Sequence, residues 1–479
     1  MAFTSLTFIA FILGVALLTS MVPTPRGRSW VLLVANMIFI GSYINSAIQI
    51  LPLLVFLVFC YLVIEGLRRS RSSLGLQIGL PVVIVIFILL KKFSFLDEAF
   101  ILPFPYLIIG LSYILFRVLH LMVDSRQGEL EKPISPINFL NYTCNFLTFV
   151  AGPIQRYQDY YIGASKSLDL DSEKVFHSVA RLIKGLVKVG VVSAIFKYLF
   201  DNMSGRLLDV NQASSLLFFV GVFLAATVFY TIYLYSNFAG YMDMVIGIGG
   251  LIGQELPENF NKPFLARSFL DFWSRWHMTL SDWFKIYLFN PLLRILATRF
   301  TSPKAGPYLG VIAFFVTFLV MGVWHGTTSV FVVYGLLMGA GASINKLWQV
   351  MAVKRLGKKA YKVLCEKTIS IYFARGMTFA YFAIAITCLW VDMQQLLWLV
   401  QRLGIVGLVS GYLVLSMLIS AVFFVWDNLL ALIADANAVV TKASSGVVAR
   451  NLVLGLQILL IISIASFFHK APEFVYRAF

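Results

Sequence analysis

The chain has 479 residues, of which 60% are hydrophobic and 13% are charged. A water-soluble domain of this length could not bury so much apolar surface in one core, so the composition indicates a protein that crosses a membrane many times. The formal net charge of +16 comes from basic residues scattered between the apolar segments. It therefore favours contact with anionic lipid headgroups and argues against a nucleic-acid-binding domain.

Apolar windows long enough to cross a bilayer follow one another along most of the chain. A helix needs roughly 20 apolar residues to cross a hydrocarbon layer about 30 Å thick, and by that criterion we expect roughly ten to twelve spans. The windows lie near 4–21, 30–47, 49–66, 76–91, 100–122, 183–201, 213–236, 307–324, 327–344, 371–391, 404–425 and 452–468. Since a backbone in lipid must satisfy its own hydrogen bonds, and since the apolar runs are continuous, the pattern predicts an all-α polytopic membrane protein.

Basic residues between the first windows predict the topology. The window 4–21 has no basic start, so we expect it to remain as a span and not to be removed as a signal peptide. Arg26 and Arg28 follow it, and further arginines follow the third window at 68–71. The positive-inside rule then predicts an N-terminus outside the cytoplasm. By the same rule the segment VKRLGKKAYKVLCEK, 353–367, is a basic cytoplasmic loop.

Two stretches interrupt the apolar pattern. In 124–182, a weak apolar segment ends at Gly152-Pro153, where we expect the chain to turn without completing a span. In 237–291, charged and amide residues alternate with Phe and Trp at short intervals. Such a mixture suits interfacial or re-entrant helices that face a water-filled cavity.

The catalytic motifs of soluble enzymes find no match. GIGGLIG, 247–253, lacks the third glycine of a dinucleotide fingerprint, and its glycines favour close helix contact instead. There is no HExxH, GxSxG, Walker A or CxxC motif. We therefore expect no metal site and no bound cofactor. The cysteines are expected to be mostly buried small hydrophobes; they are Cys60, Cys144, Cys365 and Cys388.

Three of the five histidines indicate little about function. His120 and Asp124 lie four residues apart and are predicted to form a structural hydrogen-bonded pair on one helix face. His177 and His469 lie in contexts without a motif.

The other two histidines each follow a tryptophan. They form the pairs Trp276-His277 and Trp324-His325. His325 lies between two apolar segments, where a group that carries a proton is costly and is usually retained for ion, proton or substrate chemistry. An imidazole with a pKa near about 6.5 can accept a proton from a hydroxyl that attacks a thioester, without a covalent intermediate on the enzyme. The residues alone permit acyl transfer and proton-coupled transport equally.

A longer sequence pattern favours acyl transfer over proton-coupled transport. The segment NFAGYMDMVIGIGGLIGQELPENFNKPFLARSFLDFWSRWHMTLSDWF (237–284), followed by GVWHG (322–326), resembles the membrane-bound O-acyltransferase family. It is similar in particular to the bacterial branch that holds alginate and cellulose O-acetyltransferases and the D-alanyl transfer protein of teichoic acid modification. Supporting matches are GLSYILFRVLHLMVD (110–124), FVAGPIQRY (149–157) and FVYRAF (474–479).

The resemblance implies a ring of helices around a thinned centre, where a funnel from one face meets a tunnel from the other. It implies one domain, 1–479, in five parts. These are N-terminal helices (1–123), a polar or re-entrant segment (124–182), a catalytic core (183–345), the basic loop (346–370) and C-terminal helices (371–479).

The resemblance also implies roles for individual residues. His325 is the expected catalytic base, and His277 is the expected supporting residue in the second conserved position. Asn237 departs from the family pattern, in which an aspartate is common at this position. The residues that match the motif around the donor tunnel are Asn259, Asn261, Trp273, Arg275, Trp276 and Trp324.

The implied activity moves an acyl group, acetyl foremost, from a cytoplasmic thioester to a hydroxyl of an extracytoplasmic polysaccharide or acetyl-relay protein. The expected donor is acetyl-CoA or a phosphopantetheine thioester on a carrier protein, and the expected location is the bacterial inner membrane. D-alanyl transfer to teichoic acid is the alternative within the family. A proton-coupled transporter is the alternative outside it, although transporters usually contain an internal repeat, and none is apparent here.

Overall fold

The computed structural model describes residues 5–94, 96–130, 132–166, 168, 170–209, 215–302, 304–441 and 455–459. Within these ranges the fold is helical, and one isolated antiparallel bridge, Phe260 with Trp276, is the sole strand-like pairing. The predicted all-α class is therefore confirmed. The helices are α1 (Leu6–Met21), α2 (Pro25–Gly41), α3 (Leu51–Ser70), α4 (Ser73–Lys91), α5 (Leu111–Gln127), α6 (Pro136–Thr143), α7 (Tyr157–Ser165), α8 (Ser172–Val187), α9 (Ala194–Leu207), α10 (Leu216–Ile252), α11 (Phe269–Trp273), α12 (Met278–Phe284), α13 (Asn290–Arg299), α14 (Gly306–His325), α15 (Val330–Leu356), α16 (Lys358–Glu366), α17 (Thr368–Ala385) and α18 (Met393–Thr441).

Seven helical segments of the described chain are long and apolar enough to cross a membrane. The protein is therefore a multi-pass membrane protein, as predicted. The segments are Ala47–Ser70, Ser73–Lys91, Leu216–Ile252, Gly306–His325, Val330–Leu356, Thr368–Leu389 and Met393–Ala431.

Five of the twelve predicted windows do not correspond to any of these seven segments, for different reasons. Helices α1 and α2 have 16 and 17 residues. Window 100–122 begins with non-helical backbone around Pro103 and Pro105, so α5 starts only at Leu111. Window 183–201 carries four charged residues, Lys184, Lys188, Lys197 and Asp201, and so is less apolar than the seven segments. Window 452–468 and the motif at 474–479 lie outside the described residues, apart from 455–459.

The two polar stretches differ from each other. The first behaves as predicted: α6 ends at Thr143, and a buried non-helical segment continues through Gly152-Pro153. Its carbonyl groups are held by the fully buried Arg117, which donates to the backbone oxygens of Tyr142, Thr143 and Thr148. The second was expected to form interfacial or re-entrant helices, whereas its first part, 237–252, continues α10 within a candidate membrane span. The helix ends where Gly253 adopts a φ of 76°, a conformation that suits glycine.

The glycines of GIGGLIG serve helix packing, as predicted. A Cβ on Gly247 would lie 2.7 Å from the Ser178 carbonyl oxygen, and one on Gly250 would lie 2.4 Å from the Ser178 hydroxyl. The backbone oxygen leaves no room for a side chain at 247, and a side chain at 250 would have to displace the Ser178 hydroxyl. Helix α8 therefore packs against the backbone of α10 because these positions carry no side chain.

The chain forms two compact units. The first contains the residues up to Lys188 and the segment Phe238–Glu258. The second contains Val189–Asn237 and the described residues from Asn259 onward. Both Trp-His pairs belong to the second unit.

Candidate active site

The two halves of the first motif pair with each other through their backbones. The Asn261 N–H donates to the Arg275 carbonyl at 2.9 Å, and the Met278 N–H donates to the Asn259 carbonyl at 3.0 Å. Between them lies the Phe260–Trp276 bridge. The segment PENFN and the segment RWH are thus held together as a short antiparallel ladder, which fixes His277 opposite Asn259.

The side-chain oxygen of Asn259 accepts three hydrogen bonds at the centre of this ladder. The donors are the Thr279 backbone N–H at 3.1 Å, the Thr279 hydroxyl at 2.9 Å and the His277 ring at 3.2 Å. A backbone N–H can only donate, so the amide atom that faces it must be Oδ1. The same oxygen then requires a proton on Nδ1 of His277, and it makes Nε2 the nitrogen with the lone pair.

His277 is buried and held neutral. It is 1% exposed, and its backbone adopts the left-handed region, φ 46° and ψ 51°, immediately before α12. Burial lowers the pKa of His277 well below its usual range, and a positive charge on His325 lowers it further. Non-glycine residues in this region of φ and ψ cluster at functional sites.

His325 is the last residue of α14 and is also oriented through its Nδ1 atom. It is 5% exposed. Its Nδ1 lies 2.7 Å from the carbonyl oxygen of Met321, one helical turn earlier. Because a carbonyl only accepts, Nδ1 carries the proton and Nε2 carries the lone pair. The side chain is therefore oriented as a general base would be.

Aromatic rings and close helix packing surround His325. The Trp324 ring lies 4.9 Å away and the Tyr334 ring 5.5 Å away between ring centroids, both edge-on. Helices α14 and α15 approach closely, because a Cβ on Gly322 would lie 2.1 Å from the Gly335 Cα. A Cβ on Gly326 would likewise meet the Phe331 ring at 2.1 Å. Small residues therefore determine how deeply the histidine lies between the two helices.

The two histidines influence each other electrostatically. Since a charged His325 lowers the pKa of His277, the first proton to enter opposes a second. The two imidazoles therefore disfavour being protonated at the same time.

The other predicted site residues fall into three groups. Arg275 pairs with Asp271 at 2.8 Å and reaches Asn261 through its backbone oxygen. Trp276 stacks on Phe272, with 5.5 Å between ring centroids. Trp273 lies edge-on to Phe318 at 5.1 Å. The ladder therefore gathers the PENFN and RWH residues around His277, Trp324 lies beside His325, and Trp273 packs among phenylalanines.

Comparison with known proteins identifies the family. The sequence profile described as MBOAT, membrane-bound O-acyltransferase family, matches residues 37–354. The chain belongs to the membrane-bound O-acyltransferase family. Membership makes it an acyltransferase and favours acyl transfer over the transporter alternative.

Relatives of this MBOAT chain carry two kinds of name. A teichoic acid D-alanyltransferase of Streptococcus thermophilus is 26% identical over 324 residues, which is 64% of this chain and 72% of the relative. A teichoic acid D-alanyltransferase of Bacillus subtilis is 31% identical over 48% of this chain and 56% of the relative. A probable alginate O-acetylase of Azotobacter vinelandii is 28% identical over 55% of this chain and 49% of the relative. The chain thus spans about half the length of the latter two.

Several contacts of the MBOAT site could not be anticipated from the motif. Thr279 and Tyr334 have no distinguishing local pattern, although Thr279 follows His277 by two residues.

An ion pair joins Arg375 of α17 to Asp427 of α18 at 2.5 Å. Arg375 also donates to the Phe264 carbonyl at 3.2 Å, close behind PENFN in the chain. The sequence could have indicated this pair, because charged residues inside apolar segments usually have a partner.

Of the remaining histidines, His120 takes a structural position in the first unit. His120 Nδ1 lies 3.2 Å from Asp124, and its Nε2 accepts the Tyr157 N–H at 3.0 Å, which confirms the predicted pair. His177 is 63% exposed, and His469 lies outside the described residues.

The position that departs from the family pattern lies in the second unit. Asn237 is fully buried and donates to the Ser193 hydroxyl at 3.3 Å.

Proposed function

We propose that this MBOAT protein transfers an acyl group from a thioester to a hydroxyl, with His325 as the general base. The observation that carries the proposal is the hydrogen bond from His325 Nδ1 to the Met321 carbonyl at 2.7 Å. It presents the lone pair of Nε2 in a buried position, where a base can accept a proton from a hydroxyl.

The proposed reaction needs no covalent bond to the protein. Nε2 of His325 takes the proton of the acceptor hydroxyl as its oxygen bonds to the thioester carbonyl carbon. The carbon–sulfur bond then breaks, and the imidazolium returns the proton to the departing thiolate. The ester and the thiol leave, and His325 is neutral again. General-base catalysis of this kind contributes about 10²–10⁴-fold, and positioning supplies much of the rest.

His277 supports this cycle by remaining neutral. Its low pKa keeps it from competing for the proton while His325 is charged. Asn259, which is itself held by Thr279, fixes the ring, so its Nε2 lone pair points in one direction. We infer that His277 orients a substrate hydrogen-bond donor near His325 and does not act as a second base.

An acetyl group is the foremost candidate for the group transferred. A D-alanyl group carries an ammonium near neutral pH, and burying that charge is costly without an anionic partner. Acetyl-CoA or an acetylated phosphopantetheine carrier would then be the donor.

D-alanyl transfer is the second candidate, and the relatives favour it. The match covers 72% of a D-alanyltransferase but 49% of a probable alginate O-acetylase. Aromatic rings such as those of Trp324 and Tyr334 can also stabilise a cation. The acceptor would then be a teichoic acid in place of another polysaccharide or a relay protein.

We infer that the donor enters from the cytoplasm of a bacterial inner membrane and that the acceptor lies outside. The proposed donor path includes Asn259, Asn261, Trp273, Arg275, Trp276 and Trp324. The motif supports this assignment, as does the gathering of four of these residues around His277.

The test supplies each donor to membranes that contain the protein. Labelled acetyl-CoA and a carrier protein loaded with labelled D-alanine are offered separately, with cell-envelope polymers as acceptors. The proposal expects ester-linked label in the polymer from one donor, acetyl foremost. Absence of ester-linked label from both the polymer and the membrane-protein fractions with both donors would contradict it.

A further inference from the structure

The segment predicted to be a basic cytoplasmic loop is largely a helix. Helix α15 ends at Leu356, Gly357 turns the chain with a φ of 79°, and α16 occupies Lys358–Glu366 before α17 begins at Thr368. Both α15 and α17 belong to candidate membrane spans. Helix α16 therefore connects two spans where they leave the apolar layer, which is the position of an interfacial helix.

This connection carries unbalanced positive charge. Between residues 354 and 367 there are six basic residues and one acidic residue, Glu366. Lys362 lies 3.9 Å from Glu366. Lys358, Lys359 and Lys367 are exposed, and none of them forms an ion pair within the described chain. Their charges are available to an external anion.

Apolar side chains lie beside these lysines and are also exposed. Leu356 is 50% exposed, Val363 54% and Leu364 37%. Together with the three lysines they line a wide, solvent-open surface cavity of about 550 Å³ between the end of α15 and the start of α17. The site thus joins positive charge to apolar surface within one helical connection.

We propose that this cavity binds an anionic glycerophospholipid of the surrounding membrane. Its phosphate would contact Lys358, Lys359 and Lys367, and its acyl chains would cover Val363 and Leu364. Lipid satisfies both features at once, because its headgroup pairs with the lysines while its chains remove the apolar side chains from water. A soluble acidic protein would pair with the lysines but would leave the neighbouring apolar surface facing water.

The chain offers a native reporter for this site. Cys365 lies on α16 and is exposed, whereas Cys60, Cys144 and Cys388 are buried. We attach an environment-sensitive fluorophore to Cys365 of the detergent-solubilised full chain and titrate it with a short-chain phosphatidylglycerol. The fluorescence should change and reach a plateau as the lipid concentration rises. Short-chain phosphatidylcholine and inorganic phosphate should give no such response.

Charge variants separate specific binding from general basicity. Replacing Lys358, Lys359 and Lys367 together by glutamine should raise the phosphatidylglycerol midpoint at least about tenfold, since each lysine near an anionic surface contributes on the order of fivefold. Replacement of the same three by arginine should leave the midpoint within about threefold. A matched control removes three exposed lysines elsewhere, Lys132, Lys174 and Lys304, and should not change it.

Three results would overturn the proposal. The first is an equal response to phosphatidylcholine, and the second is an unchanged midpoint in the glutamine variant. The third is saturable competition by an acidic carrier protein that displaces the lipid at lower concentration, which would assign α16 to the donor protein. The readout is binding alone, so the result does not depend on the acyl-transfer proposal.

Discussion

Removing the side chain of Asn259 should destabilise the second unit far more than removing the Thr279 hydroxyl. In Asn259→Ala, the His277 Nδ1–H and the Thr279 backbone N–H lose the buried acceptor that lies at 3.2 and 3.1 Å. A buried donor that loses its acceptor costs about 1–3 kcal/mol, so the two together predict a loss of about 2–6 kcal/mol. Thr279→Val removes one neutral hydrogen bond of 2.9 Å, worth about 0.5–1.5 kcal/mol.

Thermal unfolding of the purified protein in detergent, followed by tryptophan fluorescence, measures this difference. Asn202→Ala is the matched control, because Asn202 is exposed and its side chain donates to the Tyr198 carbonyl one turn earlier. We expect wild-type stability for the control, a small decrease for Thr279→Val and a large one for Asn259→Ala. Equal decreases for Asn259→Ala and Thr279→Val would refute the inference that Asn259 is the shared acceptor of the ladder.

The remaining predictions concern charge and packing. In the wild type the unfolded chain takes up a proton at His277 below about pH 6.5 that the folded protein does not, so stability should fall as pH drops, by up to about 1.4 kcal/mol per pH unit. In Asn259→Asp the neighbouring carboxylate should raise the pKa of His277, so the loss of stability between pH 7 and pH 5.5 should become smaller in unfolding scans. The acid limb of the activity profile should move to higher pH. An unchanged dependence of stability on pH would contradict this prediction. Gly335→Ala should lower the free energy of unfolding by about 1–3 kcal/mol through overpacking, because the new Cβ would lie 2.6 Å from the Leu319 carbonyl oxygen. Gly306→Ala is the control: a Cβ there would enter open space, so its stability should match the wild type in the same scans. Asp427→Asn leaves the buried Arg375 without its carboxylate and should cost about 1–3 kcal/mol; an effect no larger than that of Asp201→Asn, an exposed control, would contradict this.

The apolar helices could be predicted because length and hydropathy alone decide what can cross a bilayer. Val330–Leu356 and Met393–Ala431 stand out in the sequence for that reason. The structure differs from the expectation in the secondary structure of two short stretches. The sequence VKRLGKKAYKVLCEK was interpreted as a loop from its charge, although Lys, Ala, Leu and Glu favour helix and Gly357 interrupts it only once. The polar residues of 237–252 likewise favoured a separate interfacial or re-entrant helix, whereas this stretch continues α10.

The candidate site could be predicted in its centre but not in its surroundings. His325 and His277 stand out because titratable residues are rare and costly next to apolar segments. The ladder between PENFN and RWH, the Thr279 contact and the Tyr334 ring depend on how distant segments pack, and no local pattern encodes them. The predicted ring, funnel, tunnel and outside N-terminus stay predictions.

The most direct measurement is single-turnover acyl transfer with His325→Gln. Glutamine can still donate to the Met321 carbonyl but has no titratable nitrogen, and His177→Gln is the control because His177 is 63% exposed. With saturating labelled donor and acceptor, we expect His325→Gln to slow ester formation by about 10²–10⁴-fold. We expect His177→Gln and the unfolding temperatures of both variants to match the wild type. Ester formation by His325→Gln within a few-fold of the wild type would contradict the assignment of His325 as the general base.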